Sequence, residues 1–346
     1  MLRILSVGSL SGLSNTCLHR NWALHSVADK VDEVNANVNK CTLWYRIAYH
    51  LFLYGLPIRL PENNNENQQI IDLVDTNKYD IVWIDKGLTI TPKTLQYIKY
   101  KQPNCKIVSF SPDNMALRHN QSQQYLECVP LYDIHFTTKS FIIDELKRIG
   151  AKKVVFVQKA YSEKFHYPRI LEDGDVERLG GDVGFIGAWE KERCESVCYL
   201  ADNGIKVRVW GGGEWNKWKH YSPNLIIEGR GLWDEEYSKS FKAFKISLCF
   251  LRKINNDQQT ARTMEIPASG GFMLAERTDE HRALFEEGHE AVYFSTNEEL
   301  LEKCRYYLAH DAERDAIARA GRQRCIDSDY SNEGMIRKCL NIVKDL

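Results

Sequence analysis

Short apolar runs alternate along the chain with longer segments in which apolar residues recur every three or four positions. The runs at 3–7, 30–37, 79–85, 106–110, 133–137 and 153–157 read as buried strands, and the segments 21–30, 42–54, 91–101 and 140–149 as helices. Thr91-Pro92 is a helix-opening pair. A polar stretch from Asn114 through Glu127 also reads as helix, whereas the PENNNEN run at 61–67 reads as loop. The rhythm repeats in the second half. Strands are expected at 182–186, 206–210, 225–228, 245–250, 271–275 and 291–294, with helices at 193–203, 235–244, 281–285, 298–309, 313–326 and 332–346. Strand–helix alternation of this kind builds doubly wound parallel sheets covered on both faces.

The length of 346 residues exceeds what one core usually supports, so two such domains are expected. Residues 160–181, with Pro, two acidic clusters and a Gly pair but no sustained period, are the natural break. The predicted organisation is a first Rossmann-like domain at 1–165, a linker at 166–181, a second Rossmann-like domain at 182–330 and a terminal helix at 331–346. The formal net charge of −1 argues against broad nucleic-acid binding. The opening MLRILSVGSL suits a first strand better than a signal peptide, and no run approaches the ~18 apolar residues of a membrane span. Ten scattered Cys without a CxxC pair read as reduced thiols, giving a cytoplasmic expectation, with Cys194 and Cys198 sharing one helix face.

Chemistry gathers at the predicted strand ends, where open parallel sheets bind ligands. In the first half the loop Gly8–Asn15 lacks the GxGxxG spacing of a dinucleotide site. Asp85 and Asp113 end two strands; either could act as an acid or base, and each also has a local reason to be there, a turn with Gly87 and a helix cap. Asp173-Gly-Asp175 resembles an acidic metal-binding motif but stands outside any strand-end context, so no metal is assigned to it. In the second half four successive strand ends carry Gly-rich or basic loops: Gly187 with Arg193, Gly211-Gly212-Gly213, Gly229-Arg230-Gly231, and Arg252-Lys253. Their convergence on one sheet edge favours a phosphate-bearing ligand. They lead into TARTMEIPASGGFMLAE, residues 260–276. A helix starting near Met264 to Pro267 would aim free amides at an anion, with Arg262 beside it and Glu265 in its first turn; a capped, buried packing helix explains the same letters.

Several segments resemble the GT-B glycosyltransferases, and more narrowly the CgeB-like (spore maturation protein type) family. They are SFSPDNM and YDIHFTTKSFIIDELKRIGAKKVVFV in the first half, and FIGAWEKER, VRVWGGGEW, ISLCFLRK, RTMEIPASGGFMLAE and HEAVYFSTNEELLEK in the second. The resemblance implies two Rossmann-like domains facing a cleft, a nucleotide-sugar held mainly by the second, an acceptor held mainly by the first, and no required metal or other cofactor. It matches Glu265 to the carboxylate on the donor ribose, and Arg262 with the Ala261 to Thr263 amides to the diphosphate site. Arg193 and Lys253 become diphosphate counter-charges, with Gly187, Gly211 and Gly212 as close-approach positions. Asp257 falls where large retaining GT-B families carry a Glu near the transferred sugar. If the reaction inverts, Asp113, then Asp85, is the expected base. The terminal helix would cross back onto the first domain. The expected activity is hexosyl or related transfer to a glycan or lipid-linked glycan, in surface polysaccharide or lipopolysaccharide synthesis, in the cytoplasm and in peripheral contact with the inner membrane face. A sugar-nucleotide epimerase or hydrolase, or a non-catalytic sugar-nucleotide binder, are the alternatives.

Overall fold

The computed structural model describes residues 1–37, 42–62 and 64–346. They form two compact units, Met1–Gln158 with Asn332–Leu346, and Lys159–Ser331.

In the first unit β1 (Arg3–Gly8), β2 (Lys30–Asn35), β3 (Ile81–Asp85), β4 (Lys106–Ser111), β5 (Ile134–Thr137) and β6 (Val154–Phe156) form one parallel sheet in the order β2-β1-β3-β4-β5-β6. Every residue of β3 is buried because both sheet faces are covered. Val82 and Ile84 join Leu5, Val7 and Ile107 in one core, while Trp83 points the other way and stacks on Phe110 and Phe136 at 5.6 and 5.9 Å between centroids. Strand order reverses between β1 and β3, which opens a crevice at their carboxyl ends. The last helix, Asn332–Lys344, buries Met335, Ile336, Cys339, Leu340 and Val343 and packs on the helix Thr16–Val27, so the end of the chain belongs to this unit.

The second unit repeats the plan with β7 (Gly181–Ile186), β8 (Val207–Trp210), β9 (Leu225–Ile227), β10 (Phe244–Cys249), β11 (Met273–Glu276) and β12 (Val292–Phe294), ordered β12-β11-β10-β7-β8-β9 and parallel throughout. Alternate residues again serve opposite cores. Val183, Phe185, Val207, Val209, Ile246 and Leu248 face one helix layer, and Ile186, Trp210, Cys249, Met273 and Ala275 the other. Here the order reverses between β7 and β10, so the loops after these strands flank the ligand-binding crevice of this sheet.

Four local expectations are corrected. Residues 66–76, at the end of the polar run, form the helix Glu66–Thr76; Asn65 before it takes a left-handed φ of 52°, and Ile70 and Val74 supply the buried stripe. Asn63 of that run lies outside the described residues. The polar stretch to Glu127 is mostly loop, with a single 3-10 turn at Arg118–Asn120 and an α-helix only at Gln123–Cys128, because Ser122 caps there and Gln121 and Asn120 tie the preceding loop to the Met115 and Asn114 carbonyls. The 166–181 segment belongs to the second unit: it contains the helix Asp175–Leu179, with Leu179 fully buried. There the Glu172 amide, Arg178 and Lys239 hold the Asp175 carboxyl well below the usual carboxylate range, so this acid is a structural anchor. Finally, the helix of the TARTMEIPASGGFMLAE segment starts at Ala261, not near Met264; Pro267 lies in its last turn. The nine described cysteines are buried free thiols, and Cys41 lies outside the described residues.

Candidate functional site

At the strand reversal of the second sheet lies an open cavity of about 620 Å³, within the range of small-molecule sites. Its walls come from the loops after three neighbouring strands: Ile186 to Trp189 after β7, Trp210 to Glu214 after β8, and Gly231 to Trp233 beyond β9. Tyr237 and Arg262 complete it. The lining is mainly aromatic and backbone, with one guanidinium.

Glycine is required at two of these positions. A Cβ on Gly187 would meet Phe185 at 2.8 Å and the Arg262 Nη2 at 2.9 Å. A Cβ on Gly211 would lie 2.5 Å from the Gly187 carbonyl oxygen and 2.5 Å from the Trp215 ring. That ring is fully buried, and its Nε1–H donates to the Gly187 carbonyl at 2.9 Å. Gly212 is less constrained, its nearest neighbour being the Gly229 carbonyl at 3.4 Å.

The candidate cations separate into two kinds. Arg193 is buried; its Nε and Nη2 donate to the Leu251 carbonyl at 3.1 and 2.8 Å and its Nη1 to the Ala188 carbonyl at 3.0 Å. It braces the loops on either side of the crevice and does not line the cavity. Burial, with nearby Arg262, pulls its pKa down to about 10. Lys253 pairs with Glu276, and its amide donates to Glu190, which also holds Arg252 at 2.9 Å. Arg262 differs. Among the described residues it has no ion pair or hydrogen-bonded acceptor for its guanidinium, and its Nε is buried. Its guanidinium carbon sits 5.8 Å from the centre of the Phe185 ring, over which Arg193 also lies at 5.5 Å. Two like charges thus share one ring, and the one at the cavity has no ion pair among the described residues. A guanidinium in this setting is suited to pairing with an anion such as phosphate.

Glu265 follows Arg262 by three residues but does not line the cavity; it is 4 % exposed. Its carboxylate accepts the Tyr237 hydroxyl at 2.5 Å, and the Tyr237 ring forms part of the cavity wall. Burial and the adjacent carboxylate raise the Tyr237 pKa, keeping it a donor. On the other side His166 Nε2 stands 3.6 Å from Glu265. His166 Nδ1 accepts the Ser162 amide, so the neutral ring carries its proton on Nε2, towards the carboxylate. Thr263 is fully buried: its hydroxyl accepts the Thr260 amide at 3.0 Å and donates to His281 Nε2 at 2.8 Å, the latter because His281 Nδ1–H is committed to the Glu276 carbonyl. Thr263 therefore secures the helix start and stays outside the cavity. Asp257 is 8 % exposed in the turn that follows Asn256, itself at a φ of 53°, and does not line the cavity either.

His166 yields a pH prediction. Burial first, then Arg169, lowers its pKa from 6.5 to about 3. The unfolded chain binds a proton near pH 6.5 that the folded chain refuses, so this stability is present above pH 6.5 and drains away as pH falls towards 3, at about 1.4 kcal/mol per pH unit. His166→Gln is expected to be less stable than the wild type at pH 7.5, with the gap narrowing at pH 5 in urea titrations. A constant gap would show that His166 takes up its proton equally in the folded and unfolded chain, so that folding does not lower its pKa.

In the first unit the crevice carries two ion pairs. Arg20 Nε binds Asp85 at 2.6 Å, both groups buried, and the Arg20 guanidinium lies 4.5 Å above the Phe110 ring. The Gly87 amide also donates to the Asp85 carbonyl, the turn anticipated from sequence. Lys86, at a φ of 62°, reaches Asp113 at 2.5 Å. Burial alone would lower the Lys86 ammonium, but Asp113 outweighs it and holds the pKa above the ordinary value. Asp113 keeps a third of its side chain exposed; Asp85 does not. Among the described residues no cluster of three or more His, Cys, Asp or Glu is placed to hold a metal ion, and no helix is long and apolar enough to cross a membrane.

Sequence reasoning missed Trp189, Trp210, Leu232, Trp233 and Tyr237 as cavity walls, and His166 as a neighbour of Glu265. A Trp one or two positions beyond a Gly-rich strand end was the available signal for Trp189 and Trp233. Nothing local distinguishes Tyr237, which meets Glu265 only through the packing of two helices.

Residues 193–341 match a family model described as glycosyl transferase-like. A comparison with curated protein sequences finds no match. Among solved structures, a glycosyltransferase from Rickettsia africae ESF-5 aligns over 99% of this chain and 98% of its own, with a TM-score of 0.63 and 14% identity. An α-glucosyltransferase in complex with UDP and a 13-mer DNA containing an HMU base aligns over 99% of both chains, at TM-score 0.66 and 13% identity. Anabaena Alr3699/HepE, in complex with UDP and glucose, aligns over 100% of both at TM-score 0.60 and 10% identity. The chain thus has the two-domain α/β fold of the GT-B glycosyltransferases.

Proposed function

We propose that this protein transfers a hexosyl or related sugar from a nucleotide-sugar, with UDP as the first nucleotide to test, to a glycan acceptor. The observation that carries the reading is Arg262, a guanidinium with no ion pair among the described residues, in an aromatic and glycine-walled cavity at the strand reversal of the second sheet. UDP in the structures of similar fold supports it. The narrower CgeB-like placement rests on the sequence segments alone.

Sugar transfer builds positive charge on the sugar and negative charge on the departing diphosphate. A cation that becomes better matched as that charge grows stabilises the transition state more than the bound donor. Arg262 is assigned this role, with the first-turn amides of its helix, which precede the helical hydrogen-bond ladder, as further donors. The Tyr237–Glu265 pair shapes the wall for the ribose. Arg193 and Lys253 act at one remove, by fixing the loops. The reaction is proposed to need no metal and no cofactor beyond the donor, so EDTA should leave turnover unchanged. The acceptor is a free or lipid-linked glycan of surface polysaccharide or lipopolysaccharide synthesis, met by the first unit at the inner face of a membrane.

Asp113 is the better candidate for a base in an inverting reaction, because it is more exposed than Asp85 and its Lys86 partner is half exposed. Asp113→Asn is expected to lower kcat by about 10²-fold or more with KM for donor little changed; unchanged turnover would remove the assignment. The reading as a whole is tested by thermal shift with UDP-, GDP-, dTDP- and CMP-sugars, where the correct donor raises Tm by mass action. No shift with any of them sinks it. Incubation with donor alone separates a transferase, which turns over slowly, from an epimerase or hydrolase.

A further inference from the structure

The helix Leu43–Leu53 of the first unit is apolar on two sides. Thr42 caps it, accepting the Tyr45 amide at 3.1 Å. Its inner side presents Ala48 and Phe52, which pack with Leu60 in a small core. Its outer side presents Leu43, Trp44, Ile47 and, just beyond the end, Tyr54, which are 74%, 64%, 45% and 74% exposed. At 100° per residue these four fall within about a third of the helix circumference, so they make one contiguous stripe and not scattered exposure. Leu53 and Leu56 are also nearly half exposed but lie outside the stripe, Leu53 being separated from Leu43 by Arg46 and His50 around the helix. A helix with two apolar faces needs cover on both.

Charge indicates what covers the outer face. From Val34 through Pro61 the sequence contains no Asp or Glu, while Lys40, Arg46 and Arg59 are basic. Lys40 lies outside the described residues, and Arg59 is paired with Glu127. Arg46 stands on the helix itself, and the Arg118 side chain adjoins the turn after it, where a Cβ on Gly55 would meet Arg118 at 3.1 Å. The chain as a whole is balanced at −1, so this basic stretch without an acid of its own is local, and the carboxylate beside it, Glu127, is taken up by Arg59. A second copy meeting the same face would set like charge against like charge. An anionic bilayer complements both parts: the aromatic and aliphatic stripe enters the headgroup boundary, where Trp and Tyr are favoured, and the Arg side chains meet lipid phosphate. The 11-residue helix is about 16 Å long, too short to cross ~30 Å of hydrocarbon, so it lies in the interface plane.

We propose that the helix Leu43–Leu53 docks this protein on anionic phospholipid surfaces by its Leu43–Trp44–Ile47–Tyr54 stripe. The proposal gives a surface to the membrane-facing acceptor reading above and does not depend on the donor cavity. The test is co-sedimentation of the full chain with phosphatidylcholine vesicles and with mixed phosphatidylcholine–phosphatidylglycerol vesicles, at low and high salt. The wild type is expected to bind the mixed vesicles and to weaken as salt rises. Trp44→Glu with Ile47→Glu is expected to lower that binding by about tenfold or more per site. Arg46→Glu should reduce binding to the mixed vesicles. Far-UV circular dichroism and the UDP thermal shift, read on the same variants, report folding and the donor site separately. Failure of the wild type to bind mixed vesicles, binding unaffected by the stripe substitutions in a folded variant, or a light-scattering dimer that the same substitutions dissociate would each overturn the proposal. A missing UDP shift with intact vesicle binding would overturn the donor reading alone.

Discussion

Arg262→Ala is expected to lower kcat/KM by about 10²- to 10³-fold, corresponding to roughly 3–4 kcal/mol of lost transition-state stabilisation, and to abolish most of the UDP-induced rise in Tm. The fold itself should not suffer. Arg262 shares the Phe185 ring with Arg193 and has no ion pair among the described residues, so its removal relieves a like-charge contact and breaks none of the hydrogen bonds found there. The unliganded Tm should therefore stay constant or rise slightly. This combination distinguishes a ligand-binding cation from a structural one: removing Arg193, whose guanidinium holds the Leu251 and Ala188 carbonyls, should lower the unliganded Tm. Arg262→Lys should recover only part of the activity, because an ammonium keeps the charge but loses the planar fork that matches phosphate oxygens. A lowered unliganded Tm together with a normal UDP shift for Arg262→Ala would refute the assignment.

Gly187→Ala should produce the second large effect. The added methyl would lie 2.8 Å from the fully buried Phe185 ring and 2.9 Å from the end of Arg262. The arginine can swing aside, but the ring cannot, since it is wedged against Trp215 and Phe250. The expected cost is about 1–3 kcal/mol of stability for overpacking, with a weakened UDP shift because Arg262 is displaced. Gly212→Ala is the control: its new methyl would have only the Gly229 carbonyl at 3.4 Å, so Tm should move little. Equal destabilisation by both would show that the loop backbone, not the Gly187 contact, sets the cost. Denaturant titrations with and without UDP measure both quantities.

Much of the fold was legible because its strands are covered on both faces. Continuous apolar runs such as 81–84 and 248–251 stand out against amphipathic helices, and a repeated strand–helix rhythm leaves few arrangements other than two parallel sheets. The errors fell where apolar periodicity is weak. Glu66–Thr76 begins within a polar asparagine run, and the 114–127 stretch is held by side-chain bonds to loop carbonyls that leave no periodic trace. The helix starts at Ala261 because Thr260 and Thr263 cap it there, and Pro267 falls inside its last turn, where its missing N–H forgoes a bond to the Thr263 carbonyl.

The site divides differently. Sequence alone placed Gly187, Gly211, Gly212 and Arg262 together, since all are fixed by their position after a strand or at a helix start, and the sheet carries such positions to one edge. Sequence could not tell Arg262 from Arg193 or Lys253. Three cations near the same edge look alike until the packing shows that carbonyls hold one, Glu276 holds another, and the third has none of these partners. Nor could it give Glu265 its neighbours, Tyr237 and His166, which are 28 and 99 residues away in the chain. Local patterning determined which residues reach the edge of the sheet, because strand and helix periods are local. Only the tertiary structure decided which charge is left for a ligand, because neutralisation depends on groups that folding brings together from distant parts of the chain.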